Sequence, residues 1–351
     1  MGETPGEERH SGIVSGLPEL MTLQDAYTAI RESAVVGAIA PRVSVALAGE
    51  DRAAYLQGLL TNDIEALEPG AGCYSLWLSP QGRTLTDMHV LAAAGMLLVD
   101  LPAETLQATL DRLERFLFGE DVRVESLAGS LTGVWVHGPR AAGALEDVVG
   151  GEPGLAGWSD YQHRQFDFDG QSLSIARIDQ LGVPGFCAYL SPAHRARLLA
   201  ALERDGVLEA PPEAIHAARI EAGYPVFGLD ITDDIIPLEA GIEDRAISLT
   251  KGCYVGQEVI IRVLHRGQGR VARKLALLRI DGAQPVSGAK LYVGDREIGF
   301  ITSSADSPRS GTIALGYVHR DFVSPDTAVQ VETASGRAAA TVAARPLRSA
   351  V

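Results

Sequence analysis

The sequence predicts an α+β protein built on antiparallel sheets and finished by a separate all-β unit. Strand-like runs come in hairpin pairs, the clearest being 74–78 and 84–90, joined by Ser79-Pro-Gln-Gly82 with Pro and Gly where a tight turn wants them. Amphipathic helices interrupt these hairpins instead of alternating with single strands, which argues against a doubly wound parallel sheet. From Val271 onward the pattern is strands and turns alone.

Taken in order, Thr22 and Asp25 make a capping-box-like start for a helix with Leu23, Ala26, Tyr27, Ile30 and Ala34 at helical spacing. Residues 43–47 alternate as a strand, and a second helix capped near Asp51 puts Ala53, Leu56, Leu59 and Leu60 on one face. Residues 96–99 add a third strand to the hairpin, followed by an amphipathic helix marked by Leu106, Leu110, Leu113 and Leu117. The unit then recurs more loosely, with strands at 132–137, 164–168, 172–178 and 185–190 and helices near 139–149 and 191–204. Pro211-Pro212 opens one more helix, which Gly223 and Pro225 close. Strands at 271–280, 290–293, 296–302, 312–318, 328–333 and 337–344 suit a small barrel or sandwich, with hairpin signals at Gly294-Asp295 and Ser335-Gly336.

Length and composition set the bounds. With 351 residues the chain is long enough for two or three domains, and 46% hydrophobic with 21% charged residues is a globular balance. Residues 1–20 read as a mobile tail without the apolar segment of a signal peptide. No apolar run approaches the roughly 20 residues of a membrane-spanning helix. Three widely spaced cysteines without a CxxC pair argue against a disulfide framework or a self-contained metal site, and point to the reducing cytoplasm. A net charge of −15 opposes direct nucleic-acid binding. Against that field Arg262, Arg266, Arg270, Arg273 and Lys274 form a local basic cluster, read either as a solvated face or as a holder for an anionic ligand tail.

The chemistry centres on Lys251-Gly-Cys-Tyr-Val-Gly-Gln-Glu258, which precedes a strand-like run at 259–263. Cys253 is either a small buried hydrophobe in a turn or a thiol made reactive by Lys251 and open backbone amides. If the segment were a strand, Lys251 and Cys253 would share a face. Glu221 stands in the last turn of a helix, where the macrodipole disfavours a negative charge, so a partner is expected from Arg219 or a neighbouring segment. Asp87 follows the hairpin turn between Leu85 and Met88; buried there, it must be hydrogen-bonded or protonated. Asn62 reads as a cap and turn residue, and Glu239 as a loop acid.

The eight-residue motif resembles the signature of the YgfZ-type branch of the folate-binding GcvT-like superfamily, which includes the aminomethyltransferase of glycine cleavage. Leu56-Gln-Gly-Leu-Leu-Thr-Asn-Asp63, Leu78-Ser-Pro-Gln-Gly-Arg83 with Asp87, Arg219-Ile-Glu-Ala-Gly223 and Pro237-Leu-Glu-Ala-Gly241 are similar in the same order. The resemblance implies a body over 21–270 of two interleaved α/β subdomains, one roughly 51–128, and a C-terminal β-barrel over 271–351, arranged as a three-domain ring. It implies tetrahydrofolate or a one-carbon-substituted folate as the cofactor. Cys253, Asp87 and Lys251 are then the reactive set, and Glu221, Arg219, Tyr254, Gln257, Glu239, Arg262 and Asn62 the folate-binding set, with Glu221 accepting from the pterin edge. Two functions follow from the resemblance, and the thiol of Cys253, which an aminomethyl transfer does not need, favours the first. One is an accessory role in iron–sulfur cluster assembly or repair, with tRNA modification downstream and cluster carriers or clients as partners. The other is one-carbon transfer with Asp87 beside the reacting folate nitrogen. Relatives often carry two successive aspartates there; this chain has Thr86 before Asp87.

Overall fold

The computed structural model describes residues 21–151, 153–266 and 269–344. The expected tail and the side chain of Arg266 lie outside what is described.

The chain opens with helix α1 (Leu23–Glu32), whose first turn is closed by the Thr22 hydroxyl accepting from the Asp25 amide at 3.1 Å. Strand β1 (Val35–Val36) follows, and then a complete sheet is inserted: β2 (Arg42–Ala48), helix α2 (Arg52–Leu59), β3 (Gly72–Leu78), β4 (Thr84–Ala93), β5 (Met96–Pro102), helix α3 (Leu106–Arg115) and β6 (Arg123–Ser126). Its strand order is β3-β4-β5-β2-β6, antiparallel throughout. The chain then rejoins β1 through β7 (Thr132–His137), helix α4 (Ala141–Val149), β8 (His163–Phe168), β9 (Gln171–Arg177), β10 (Gly185–Leu190), helix α5 (Arg195–Arg204) and β11 (Leu208–Glu209). That second sheet runs β11-β1-β7-β10-β9-β8. Because β1 is in one sheet and β2 to β6 make the other, the two layers are interleaved in sequence. Helix α6 (Pro212–Glu221) leads out of them through α7 (Pro237–Ala240), α8 (Glu243–Ala246) and α9 (Gln257–Ile261).

The last strands, β12 (Arg273–Asp281), β13 (Lys290–Val293), β14 (Arg296–Ser307), β15 (Gly311–His319), β16 (Ala328–Thr333) and β17 (Gly336–Ala343), form a closed barrel, β17 pairing back onto β12. Closure removes the open edges that a small antiparallel sheet would otherwise expose. Each sheet keeps its own apolar cluster, and a further one, with Tyr74, Trp135, Tyr189, Ile231, Leu275 and Tyr317, lies where both sheets and the barrel meet. Alternation in β3 explains this sharing: Tyr74, Leu76 and Leu78 face the junction, while Trp77 packs into its own sheet's cluster with α2.

One element differs from its sequence reading. Residues 259–263 are not a strand; Gln257–Ile261 is helical and Arg262–Arg266 is a π turn. A five-residue apolar run cannot distinguish strand from buried helix by periodicity. Here only Ile260 is fully buried, and Gly256, in the left-handed region at φ 82°, turns the chain into the helix.

Candidate functional site

The junction of the three units holds a chain of buried charges and phenols. Asp87, on β4, is 4% exposed and accepts from Arg42 Nη1 at 2.9 Å and from the Tyr74 hydroxyl at 2.9 Å. Arg42, on β2, turns its other donors to Asp100 on β5: Nε to Oδ1, and Nη2 to the peptide oxygen at 2.8 Å. The Tyr189 hydroxyl, from β10 of the other sheet, completes Asp100 at 3.2 Å. Burial pushes the Asp100 carboxyl above its usual range, only partly offset by Arg42, and lifts the Tyr74 phenol well above its own, with Asp87 adding to the effect.

Aromatic rings surround this chain. His89 lies 5.5 Å from Tyr74, 5.6 Å from Tyr161 and 6.0 Å from Trp135, centroid to centroid. Arg245, on α8, stacks its guanidinium 4.5 Å from the Tyr74 ring and 4.3 Å from the Tyr224 ring, and its buried Nη2 has no hydrogen-bond partner. A cavity of about 20 Å³, bordered by Arg42, Trp135, Gln180 and Tyr224, opens beside them. That volume takes one water-sized molecule. Such a site offers a carboxylate acceptor, flat aromatic walls and an unsatisfied cationic donor away from bulk water.

Of the residues expected from sequence, Asp87 is in this site. Asn62 borders it through the backbone of Tyr74 and Arg245, and the rest are committed to other contacts. Arg219 is wholly buried, paired with Asp230 at 2.6 Å and bonded to Ser303 at 2.7 Å and the Tyr224 carbonyl at 3.2 Å, so its donors join α6 to the barrel and are not open to a ligand. Glu221 answers the question its helix position raised, but its partners are Tyr27, Arg31 at 3.1 Å and Ser307. Burial acts to raise its carboxyl, yet these donors together hold it below the usual range. Three side-chain donors thus already use both oxygens of Glu221 and tie α6 to α1 and the barrel. Glu239 caps α7 at the Ile236 amide and pairs with Arg273 on the barrel at 3.2 Å. Asn62 clips together the carbonyls of Tyr74 at 2.9 Å and Arg245 at 3.1 Å.

The motif loop is built around a different cation geometry from the one expected. Lys251 donates to the carbonyls of Gln57, Leu60 and Asn62 at 2.6, 2.7 and 2.8 Å, closing the C-terminus of α2. Its ammonium is thus spent on α2 and does not turn toward Cys253, which is exposed. Gly256 is held tightly against the β3–β4 turn, since a Cβ there would meet the Ser79 carbonyl at 2.4 Å. Tyr254 is buried, its hydroxyl unpartnered and pushed up to about 12 by burial. Gln257 is half-buried at the start of α9, and Arg262 is exposed on the π turn. Of the basic cluster, Arg273 is committed to Glu239, while Arg262, Arg270 and Lys274 are exposed.

Sequence reading missed Arg42, Tyr74, Asp100, Tyr189 and Arg245. Asp100 did carry a signal: it is the lone acid in the apolar strand Met96-Leu-Leu-Val-Asp-Leu-Pro102, and a buried acid needs partners. Arg245, in Glu243-Asp244-Arg245, has the look of ordinary surface charge. Among the described residues no three His, Cys, Asp or Glu side chains come together as a metal site, and no helix is long and apolar enough to cross a membrane.

Comparison with known proteins agrees with this architecture. The GCVT N-terminal domain family matches residues 20–251, and the glycine cleavage T-protein C-terminal barrel domain matches 273–347. An aminomethyltransferase from Geobacillus sp. (strain WCH70) is 27% identical over 335 residues, covering 93% of this chain and 91% of that protein. Another from Picosynechococcus sp. is 28% identical over 305 residues, covering 86% and 82%, and a putative chloroplastic transferase from Arabidopsis thaliana is 26% identical over 289 residues, covering 82% and 66%. The crystal structure of aminomethyltransferase T from Bartonella henselae superposes with a TM-score of 0.81 at 24% identity, covering 93% of this chain and 89% of that one, and so shares the fold.

Proposed function

The chain belongs to the GCVT family, and on that premise we propose that it is a tetrahydrofolate-dependent one-carbon transferase acting at Asp87. The observation that carries the reading is the buried Arg42–Asp87–Tyr74 contact beside the unsatisfied Nη2 of Arg245. A pterin suits such surroundings, with ring faces for Tyr74, Trp135 and Tyr224, N–H groups for a carboxylate, and an oxo group for a guanidinium. Tetrahydrofolate would supply the amine that accepts the one-carbon unit.

The chain's own residues then act by placement. Asp87 accepts an N–H or holds a proton at Oδ2 or Oδ1, in a position shielded from water where such an interaction is strong. Arg42 and Tyr74 fix the rotamer of that carboxylate, so little reorganisation is needed. With a cavity of about 20 Å³, ring entry requires the side chains at its border to draw back. The Arg219, Glu221 and Glu239 networks hold the body against the barrel around this junction.

Calorimetry with tetrahydrofolate tests the reading. Binding by the wild type and a loss of about tenfold or more in Asp87→Ala are expected, the usual worth of a charge-assisted hydrogen bond. Absence of binding by the wild type would sink it. Running mono- and polyglutamylated folate side by side, at low and raised salt, tests Arg262, Arg270 and Lys274 as contacts for the glutamyl tail.

A second reading, an accessory role in iron–sulfur cluster assembly, is favoured by the exposure of Cys253 on a loop tied down at Lys251 and Gly256. One thiol cannot hold a cluster alone, so any contact would be shared with a partner. In a deletion strain with impaired cluster enzymes, rescue by wild type and failure of Cys253→Ser would favour it; equal rescue would remove it.

A further inference from the structure

Arg42 is shared unequally between two buried carboxylates. Asp100 takes two of its hydrogen bonds, one on the carboxylate and one on the peptide oxygen, and Asp87 takes a single one. The pairing of β4 with β5 sets Asp100 opposite His89, two residues from Asp87, which puts both acids on one face of the sheet. Thr86 lies on the other face, its hydroxyl 2.8 Å from that of Thr105. A carboxylate at position 86 would therefore point away from Arg42. The second acid of this site comes from the neighbouring strand.

We propose that Asp100 is the positioning residue of the site: it anchors Arg42 and, by drawing on its charge, keeps Asp87 an effective acceptor. One guanidinium faces two carboxylates, so the pair retains a net negative charge in a water-poor junction. With Asp100 neutral, the whole of Arg42 would fall to Asp87, which would then be stabilised as the anion and made a weaker acceptor. The bond from Nε to the side chain would weaken as well, while the bond from Nη2 to the peptide oxygen, which no side-chain change removes, would keep Arg42 in place beside Asp87. Tyr189 serves the same end by holding Asp100 Oδ2. The other groups around Asp87 are Tyr74 on β3, His89 on its own strand and, behind Tyr74, Arg245 on α8. None of them bonds Arg42, so Asp100 is the one through which its charge is divided. The inference rests on the transferase reading and adds to it a residue that would touch no substrate.

The test compares wild type, Asp100→Asn and Tyr189→Phe in one-carbon transfer to tetrahydrofolate across pH, with thermal melts on each. Asp100→Asn should lower kcat by about tenfold or more, with KM changed far less, as for a weakened general base. The acid side of its pH–rate profile should move down, because Asp100 then no longer draws on the charge of Arg42. Tyr189→Phe should shift the profile in the same direction by less. A folded Asp100→Asn with the wild-type pH profile, or one that lowers the melt and nothing else, overturns the proposal. Should Asp100→Asn fail to fold, an unchanged profile in Tyr189→Phe overturns it. A wild type that neither binds nor uses tetrahydrofolate removes the transferase reading, and this inference with it; an active wild type with unaffected variants removes the inference alone.

Discussion

The ammonium of Lys251 donates to the carbonyl of Leu60 at 2.7 Å, which fastens a loop residue to the end of a helix nearly two hundred positions earlier in the chain. Helix α2 leaves its last carbonyls without intrahelical partners, and a cation there meets both their hydrogen-bonding need and the helix dipole. Gln57 and Asn62 share the same ammonium. Lys251→Met should destabilise the protein by about 1.5–3 kcal/mol, toward the lower figure because the group is only half-buried. A lower urea midpoint with an unchanged slope would bear this out; an unaltered midpoint would refute it.

That anchor leaves Cys253 exposed, while Cys187 is buried and Cys73 partly buried. Cys187 is wholly buried, and burial pushes Cys73 up to about 12. Iodoacetamide at pH 8 should therefore modify Cys253 well before either of them in the native protein, with all three reacting after unfolding. Peptide mass spectrometry would show it. Comparable early labelling of Cys73 would refute this order.

His137 gives stability a pH dependence. It is wholly buried on β7, and burial lowers its pKa from 6.5 to about 4. The Gly37 carbonyl, 3.0 Å from Nε2, can only accept, so Nε2 carries the proton of the neutral ring. Between pH 6.5 and about 4 the unfolded chain binds a proton that the native state refuses, and stability falls as pH is lowered through that window. The difference of 2.5 units (6.5 minus 4) corresponds to about 3 kcal/mol. Urea unfolding at pH 7 and pH 4 should show a smaller loss in His137→Gln, which keeps a donor without the titration. An equal loss in both proteins would assign the effect to other groups, with His163 and His216 lowered in the same sense.

Among the described residues, the Arg219–Asp230 pair, neither side chain exposed, should be the most costly ion pair to break, because each partner would be left charged without water. Arg219→Met is expected to cost about 3–5 kcal/mol. Since Arg219 also bonds Ser303 on the barrel, hydrogen exchange should increase along β14 before it does in β3 to β5. Uniform loss of protection would show that barrel and body unfold as one.

Much of the architecture was legible because local rules sufficed. The Thr22–Asp25 cap, the Ser79–Gly82 turn, the leucines of α3 and the run of hairpins after Val271 each express a short-range preference, and the elements stand where those patterns lie. Asp87 could be singled out for the same reason: a carboxylate in an apolar strand must find partners wherever that strand is buried. Conversely, Val259–Val263 was too short for its period to decide, and the glycine that turns it into a helix acts through a dihedral that composition does not reveal.

What the sequence could not supply was the choice of partner. Glu221 needed a donor, but only packing of α1 and the barrel brought Tyr27, Arg31 and Ser307 to it in place of Arg219. Lys251 lies two residues from Cys253, yet it serves carbonyls from positions 57 to 62 because three converging acceptors outweigh one nearby thiol. Asp100 meets Asp87 only through strand register and one arginine held between them. Spacing along the chain determined which residues could be buried and on which face; charge pairing across sheets, which falls off with distance in space and not in sequence, was decided by the tertiary structure.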